Sequence, residues 1–161
     1  MDRRLLILGI LLGLIAVLAG CGGLFPSDPV NRVLDKVVDD WAKAIEDGTW
    51  GKLKHLVMEH VAITIDESPR LLMKPAEYAE FEMKQWSGKN NRIVDVYIHT
   101  RLGDFVDSAA LIGILRAQYN EGNQFFEETA EIEFELAKSG SDWKIARIER
   151  TTVETRPLNS D

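Results

Sequence analysis

Three residues in the first half of the chain, His55, Glu59 and His60, are of the types that bind metal ions. A zinc site needs its ligands to converge at about 2.0 to 2.2 Å from the ion. The spacing His-Leu-Val-Met-Glu-His matches neither His-Glu-x-x-His nor His-x-x-Glu-His. His99 is the only other histidine in the chain. We therefore expect a helix-end surface with incidental histidines, and neither a metal nor another cofactor.

A second group of polar residues alternates along one predicted strand. Asp95, Tyr97 and His99 leave the same strand face and offer a carboxylate, a phenol and an imidazole for acid/base work. The opposite face of this strand is wholly aliphatic and is the better candidate for the core. The pattern therefore favours an outer sheet face or a dimer contact for the trio. Asp104 and Asp107, which flank the start of the next strand, are expected to be exposed turn acids.

Four tryptophans could stack on a sugar or on an aromatic ligand, although buried indoles are more often core packing. Trp41 and Trp143 occupy apolar positions of a helix and a strand, which predicts core positions. Trp50 and Trp86 lie at the ends of predicted elements, where the mouth of a pocket would be. They are the candidate ligand contacts.

The chain begins with a charged pair, Arg3 and Arg4, followed by the uncharged run from Leu5 to Gly20. A charged start, an apolar centre and a small-residue end are typical of a secretory signal. The run has sixteen positions and three glycines, so it is a poor match to the roughly 20 apolar residues of a membrane-spanning helix. A retained span is the second choice.

The four residues that end this segment, Leu18, Ala19, Gly20 and Cys21, resemble the lipobox of bacterial lipoproteins. That resemblance implies cleavage between Gly20 and Cys21 and attachment of diacylglycerol to the Cys21 thiol. One acyl chain binds a bilayer marginally and two bind it stably. We therefore expect residues 1–20 to be a signal peptide, residues 21–28 a lipidated tether, and the protein to be exported and anchored to the outer face of the cell membrane through acyl chains.

Composition limits the partners of the exported chain. Cys21 is the only cysteine, so an intramolecular disulfide is excluded. The formal net charge of −7 becomes −8 when Asp2, Arg3 and Arg4 leave with the signal. This sign argues against nucleic acid, whose phosphates require a basic footprint. It also leaves the acyl chains as the expected contact with the membrane.

The region after the tether predicts helices. Asp28 is a good N-cap, Pro29 suits the first helical position, and an apolar stripe with steps of three and four runs to Ile45. Gly48 is placed to end this helix. A short helix from Thr49, a strand from Val61 to Ile65 and a third helix from Pro75 to about Trp86 follow. In the third helix Tyr78, Phe81 and Met83 are the expected packing residues.

The second half of the chain has the period of two that is typical of strands. Four strands are predicted, separated by glycine-containing turns: Ile93 to Thr100, Phe105 to Tyr119, Phe125 to Lys138 and Trp143 to Val153. The segment Ala109 to Leu115 is apolar on both faces, so it is either covered on both sides or meets a partner. We favour a partner patch that includes Leu111, Gly113 and Leu115, with a second copy or another envelope protein as the partner. Gly113 also suits a sharp bend of the sheet.

This order of elements resembles the nuclear transport factor 2-like superfamily, which is also called cystatin-like and includes the ketosteroid isomerases. The resemblance covers about Pro29 to Val153 and includes local phrases such as Trp41-Ala-Lys-Ala-Ile-Glu-Asp-Gly48 and Ser141-Asp-Trp-Lys-Ile145. It implies an α+β fold in which amino-terminal helices pack on a strongly curved antiparallel sheet around a conical pocket, and in which many members dimerise through the sheet. We expect a single domain at residues 29–155 and a disordered tail at residues 156–161.

Two functions follow from these patterns. The first is a lipid-anchored, extracytoplasmic binding or accessory domain of the bacterial cell envelope that is not an enzyme. The second is a small-molecule isomerase or dehydratase that uses a pocket acid. They differ in one feature, because an enzyme of this type needs a titratable group with a perturbed pKa inside a cavity.

Overall fold

The computed structural model describes residues 28–158. Three helices and six strands follow one another in this part of the chain. The helices are α1 (Pro29–Asp47), α2 (Trp50–Leu56) and α3 (Pro75–Gln85). The strands are β1 (Val57–Ile65), β2 (Leu71–Met73), β3 (Lys89–Gly103), β4 (Ser108–Glu121), β5 (Gln124–Ser139) and β6 (Asp142–Leu158). The predicted α+β class is confirmed.

The predicted signal, Cys21 and the tether as far as Ser27 lie outside the described residues, as do residues 159–161. Within the part of the chain that is described, no helix has both the length and the apolar character needed to cross a bilayer.

Asp28 and Gly48 cap the two ends of α1, as the sequence predicts. The Asp28 carboxylate accepts a hydrogen bond from the Val30 amide at 3.0 Å, which satisfies one of the free amides of the first turn. At the other end Gly48 adopts the left-handed conformation with φ of 66°. Its amide donates to the Ile45 carbonyl, and the Thr49 amide donates to Ala44.

The six strands form one sheet in the order β2-β1-β6-β5-β4-β3. All neighbours are antiparallel except β1 and β6, which are parallel. The expectation of a wholly antiparallel sheet is corrected in this one pair, because β1 is joined to the meander by a long connection through β2 and α3. The short edge strand β2 follows a proline and four polar residues and was not predicted.

The predicted disordered tail is wrong in its first three residues. β6 continues through Leu158, and Phe125, Phe126 and Glu127 of β5 pair with Leu158, Pro157 and Arg156. The Arg156 guanidinium also donates to Glu127 at 2.5 Å. Backbone pairing along an existing strand therefore extends the sheet beyond the point where the apolar alternation ends.

The core lies between α1 and the concave face of the sheet. The α1 residues Leu34, Val38, Trp41 and Ile45 are almost completely buried, and the Trp41 ring meets Phe134 of β5 edge-on at 5.1 Å. The helix α3 covers the β1 side of this core. The buried face of each central strand contributes every second residue, as the period of two predicts.

The predicted partner patch is corrected by the structure. Leu111 and Leu115 are fully buried and Gly113 is buried between them, so all three face the core of their own domain. The half-buried side chains on the outer face of β4 are those between them, Ile112 and Ile114. Because β4 has apolar residues on both faces, its sequence does not show which face is the core. In the structure the face that carries the two leucines is the one covered by the domain's own core.

Gly113 permits a close approach of two strands. A Cβ atom at this position would lie 2.4 Å from the carbonyl oxygen of Tyr97 on β3. The pairing of β3 with β4 shifts between Ile98 and Thr100, opposite this glycine, which is a β-bulge. Gly113, which was expected to suit a sharp bend of the sheet, thus lies opposite a β-bulge of β3.

Gly113→Ala is therefore expected to lower the free energy of unfolding by about 1 to 3 kcal/mol, because the neighbouring backbone must move to admit the methyl group. Gly51→Ala is the matched control. A Cβ atom there meets nothing within 4 Å, and the position is helical, so this variant should be as stable as the wild type or slightly more stable. Urea unfolding of the three proteins makes the comparison. Equal stability of both variants would contradict this account of Gly113.

Candidate functional site

The histidines and acids singled out in the sequence lie on the surface. His55, Glu59 and His60 are exposed. Across residues 28–158, no three metal-binding side chains are grouped so that they could hold an ion.

The polar trio of β3 is also exposed. Asp95, Tyr97 and His99 point to the outer face of the sheet, and Tyr97 is 71% exposed. The placement of the trio on the outer face is confirmed. Together with Ile114 and Arg116 of β4, Asp95 and Tyr97 line a shallow hollow on this face.

Asp104 has a structural role in the loop between β3 and β4. One of its carboxylate oxygens accepts hydrogen bonds from the amides of Val106, Asp107 and Ser108 at 2.9 to 3.2 Å. These backbone hydrogen bonds hold the pKa of Asp104 below its usual value. Asp104 and Asp107 are exposed, as expected for turn acids.

The two candidate ligand tryptophans have different surroundings. Trp50 is half-buried at the start of α2, and the Arg92 guanidinium lies over its ring at 5.3 Å. Trp86 is 2% exposed, so its ring lies inside the domain rather than at a mouth. Trp86 follows the last residue of α3 and continues the buried stripe of that helix. Helix periodicity past Gln85 therefore turns its side chain inward.

The chemically distinctive residues of the interior lie on this stripe. Tyr78, Glu82 and Trp86 follow one another at intervals of four, so they share one face of α3 and its C-cap. Tyr78 is fully buried and Glu82 is 2% exposed. The stripe packs towards Trp41 of α1 and Arg150 of β6. Three elements thus bring a carboxyl, a phenol, two indoles and a guanidinium together in the core.

Hydrogen bonds order this group. The Trp41 indole Nε1 donates to the Tyr78 hydroxyl at 2.6 Å, and the Trp86 Nε1 donates to Glu82 Oε2 at 3.1 Å. Both indole N–H groups therefore have the acceptor that burial requires.

Arg150 completes the group without a close ion pair. It is 7% exposed, and its guanidinium carbon lies 5.8 Å from the centre of the Trp86 ring. Its Nε atom has no hydrogen-bond partner within residues 28–158. Arg150 and Glu82 interact through space, since the positive charge of Arg150 lowers the pKa of Glu82.

Burial nevertheless dominates the ionisation of Glu82. Removal of its carboxyl from water raises the pKa, and the opposing effects of Arg150 and of hydrogen bonds from Tyr78 and Trp86 do not cancel this rise. Burial and the nearby Glu82 also raise the pKa of the Tyr78 phenol well above its usual value. Glu82 is thus an interior acid whose neutral form is favoured by the fold.

The space beside this acid is very small. Trp41, Ile63, Ile65 and Ile148 line it together with Glu82 and Arg150, and it is too narrow to admit a water molecule. Proton transfer to a substrate requires a group within hydrogen-bond reach of the reacting atom. In this conformation Glu82 has no room for a substrate atom beside it.

A second polar group also lies beside Trp86. The Lys89 ammonium is 2.9 Å from Glu128 Oε2 and lies over the rings of Tyr119 at 4.4 Å and Trp86 at 4.9 Å. Glu128 is itself buried and also accepts from the Tyr119 hydroxyl at 3.5 Å. An aromatic recess that could bind an organic cation is therefore filled by the chain's own lysine.

The sequence analysis did not single out Glu82 as a site residue. The available signal was its position halfway between Tyr78 and Trp86 at helical spacing, which places an acid on an aromatic stripe. The predicted packing residue Met83 is instead 43% exposed, because it lies one position off that stripe. Arg150 was not singled out either, because it lies within the alternating pattern of the last predicted strand.

Comparisons with known proteins give a likeness in structure and none in sequence. No family model matches the chain, and no curated protein does. The crystal structure of a hexachlorocyclohexane dehydrochlorinase (LinA type 3) from Novosphingobium barchaimii LL02 is similar, with a TM-score of 0.65, 18% identity, and coverage of 81% of this chain and 90% of that one.

Two further structures agree with this. A putative scytalone dehydratase from Novosphingobium aromaticivorans DSM 12444 has a TM-score of 0.69 and 11% identity, over 81% of this chain and 88% of that one. A ketosteroid isomerase-like protein from Erwinia carotovora atroseptica SCRI1043 has a TM-score of 0.66 and 12% identity, over 81% and 99%. The fold is therefore the α+β cone of nuclear transport factor 2-like proteins, as expected. Identities this low show the fold alone.

The ionisation of Glu82 makes stability depend on pH. A raised pKa in the folded state means that the contribution of this group is fully present below the pKa of the unfolded chain and is lost as pH rises through the folded value. Glu82→Gln keeps an acceptor for Trp86 and cannot ionise. Its stability relative to the wild type should therefore increase from pH 4 towards pH 8, by about 1.4 kcal/mol for each unit that separates the two pKa values.

Glu80→Gln is the control of opposite sign. Glu80 is exposed on the same helix, and the hydrogen bond from Lys84 lowers its pKa. The stability of this variant relative to the wild type should fall slightly over the same pH range. Urea unfolding at several pH values measures both. A flat difference for Glu82→Gln would show that the carboxyl is solvated in the folded protein.

Proposed function

We propose that the chain is a lipid-anchored, extracytoplasmic binding or accessory domain of the bacterial cell envelope and that it is not an enzyme. The anchor is supported by the signal-like segment and by its last residues, Leu18, Ala19, Gly20 and Cys21. Its attachment point fits the fold, since α1 starts at Pro29 and leaves only the tether between the first helix and Cys21.

The proposal that the domain is not an enzyme rests on one observation, the narrow space beside Glu82. The buried acid with a raised pKa is the feature that an enzyme would need. In this domain Trp41, Tyr78 and Trp86 surround that acid, and the remaining space does not admit water. Both buried indole N–H groups are bound within this polar group, to Tyr78 and to Glu82. We infer that Glu82, Tyr78 and the two indoles fix the packing of α3 on the core.

Binding is then assigned to the outside of the sheet. Ile112 and Ile114 of β4 are half-buried there, beside the exposed Tyr97. This face has two hollows. One, of about 360 Å³, lies near Leu102, Ala110 and Ala137, and the other, of about 290 Å³, lies near Tyr97 and Ile114. Apolar side chains within a polar surround favour a protein partner, either a second copy or another envelope protein.

Intact mass tests the anchor. Wild-type protein made in a bacterial host should have the mass of residues 21–161 plus acyl groups and should fractionate with membranes. Cys21→Ala removes the thiol that carries the lipid, so this variant should lose the acyl mass. An unmodified full-length mass for both proteins would overturn the lipid anchor and indicate a retained amino-terminal helix.

A second function is favoured by Glu82 itself. An isomerase or dehydratase would use this acid if α3 moved away and opened the interior. The similar structures include a dehydratase-like and an isomerase-like protein. Such an opening would have to bring solvent to the buried indoles.

Quenching of tryptophan fluorescence by acrylamide separates the two functions. Trp50→Phe removes the half-buried indole and leaves Trp41, Trp86 and Trp143, which are all buried. A closed interior predicts a Stern-Volmer constant several-fold below that of the same variant unfolded in urea. A constant close to the unfolded value would contradict the closed interior and favour the enzyme.

A further inference from the structure

We propose that the end of the domain nearest the tether rests on the bilayer and inserts apolar side chains into its surface. This end, here called the tether end, carries the exposed residues Val33 and Val106. They are 48% and 59% exposed, respectively. The proposal rests on the lipid anchor at Cys21 and adds the surface through which the anchored domain contacts lipid.

The contacts of α1 with β3 define this end. Arg101, near the end of β3, donates to Asp35 in the second turn of α1 at 2.7 Å. Arg92, near the start of β3, donates to the Ile45 carbonyl near the end of the helix at 2.8 Å. The two elements therefore run in opposite directions, and the end of β3 lies beside the start of α1.

The β5–β6 turn reaches the same end. The Lys138 amide donates to the Asp107 carbonyl at 3.0 Å, which joins this turn to the β3–β4 loop. The first residues of α1 and two hairpin connections thus form one end of the domain. The β4–β5 turn is at the other end of β4, at most about 43 Å away along the strand at roughly 3.3 Å per residue.

The β3–β4 loop is built so that a valine projects from it. The three amides bound by Asp104 tighten the loop, and Phe105 adopts the left-handed region with φ of 56°. This conformation is unfavourable for a residue other than glycine. Phe105 packs against the core, while Val106, the next residue, points to solvent. The strained backbone at Phe105 therefore accompanies an exposed apolar side chain at Val106.

The tether selects the surface that meets the membrane. From Cys21 to Asp28 an extended chain spans about 25 Å at most. The domain must therefore stay close to the bilayer, and the end that carries α1's first turn is the nearest to it. A tether this short keeps the apolar side chains of that end within reach of the boundary between headgroups and acyl chains.

The distribution of side chains favours lipid over a second copy as the occupant. Val33 lies on α1 and Val106 lies in the β3–β4 loop, so the two side chains belong to separate elements and not to one continuous face. Asp107 and Asp142 lie among them, so we expect a contact with a zwitterionic surface and little gain from anionic lipid.

A fluorescent label at Val106 tests the proposal on the full, acylated chain. Cys21 is the only native cysteine and is consumed by acylation, so Val106→Cys provides one free thiol. The labelled protein is reconstituted in phosphatidylcholine vesicles with and without brominated acyl chains. A nitrobenzoxadiazole label at this position should shift its emission to the blue and be quenched by the brominated lipid.

Val153→Cys is the matched control, since Val153 has the same side chain and is 62% exposed. It lies on β6 eleven residues beyond Asp142, which is at most about 36 Å along the strand from the tether end. Its label should be unaffected by the brominated lipid. Val33→Cys provides a second position at the tether end if the Val106 loop does not tolerate the change.

Intact mass keeps the two proposals apart. An acylated protein whose labels at Val106 and Val33 are unquenched overturns the membrane contact and leaves the anchor standing. A signal at these labels that depends on protein concentration, with no quenching by lipid, would assign the tether end to a second copy and also overturns it. An unacylated mass overturns the anchor and the membrane contact together.

Discussion

The hydrogen bond from the Trp41 indole to the Tyr78 hydroxyl joins the two helices that cover the sheet, and the rest of the interior depends on it. Trp41 occupies the centre of α1 and meets Phe134 of β5 edge-on, while Tyr78 holds α3 against the same core. Once α3 is fixed in this way, its next two turns place Glu82 and Trp86 in the interior. An unfilled donor on Trp41 would carry the full cost of desolvation.

The buried acid is a consequence of that packing. Glu82 accepts a hydrogen bond from Trp86, and the charge of Arg150 lowers its pKa. Burial raises the pKa and is the larger effect. Proteins of this fold can enclose a pocket between helix and sheet, and in this chain aromatic side chains occupy the space beside the acid. Lys89 fills the neighbouring recess in the same manner. Function must be argued from these interior side chains, because proteins that share a fold can have unrelated activities.

The fold followed from the sequence more fully than the site did. The caps Asp28 and Gly48 and the alternation of the strands are local signals, so α1 and the four-stranded meander were predicted within a few residues. The parallel pairing of β1 with β6 depends on contacts between distant parts of the chain, which no local pattern records. Leu111 and Leu115 were assigned to a partner because a strand that is apolar on both faces does not say which face α1 will cover. Glu82 escaped notice because a single glutamate on a helix is usually solvated.

The place of β6 in the sheet has a consequence for how the chain folds. β6 is the last strand of the described residues and lies between β5 and β1, so among these strands it alone pairs with both the β2–β1 edge and the meander. Closure of the sheet therefore waits for the carboxyl-terminal residues and joins segments about 85 residues apart in the chain, such as Ile63 and Ile148. Contacts this distant in sequence are associated with slow folding. Until β6 is in place, β1 and the helix packed on it cannot pair with the rest of the sheet.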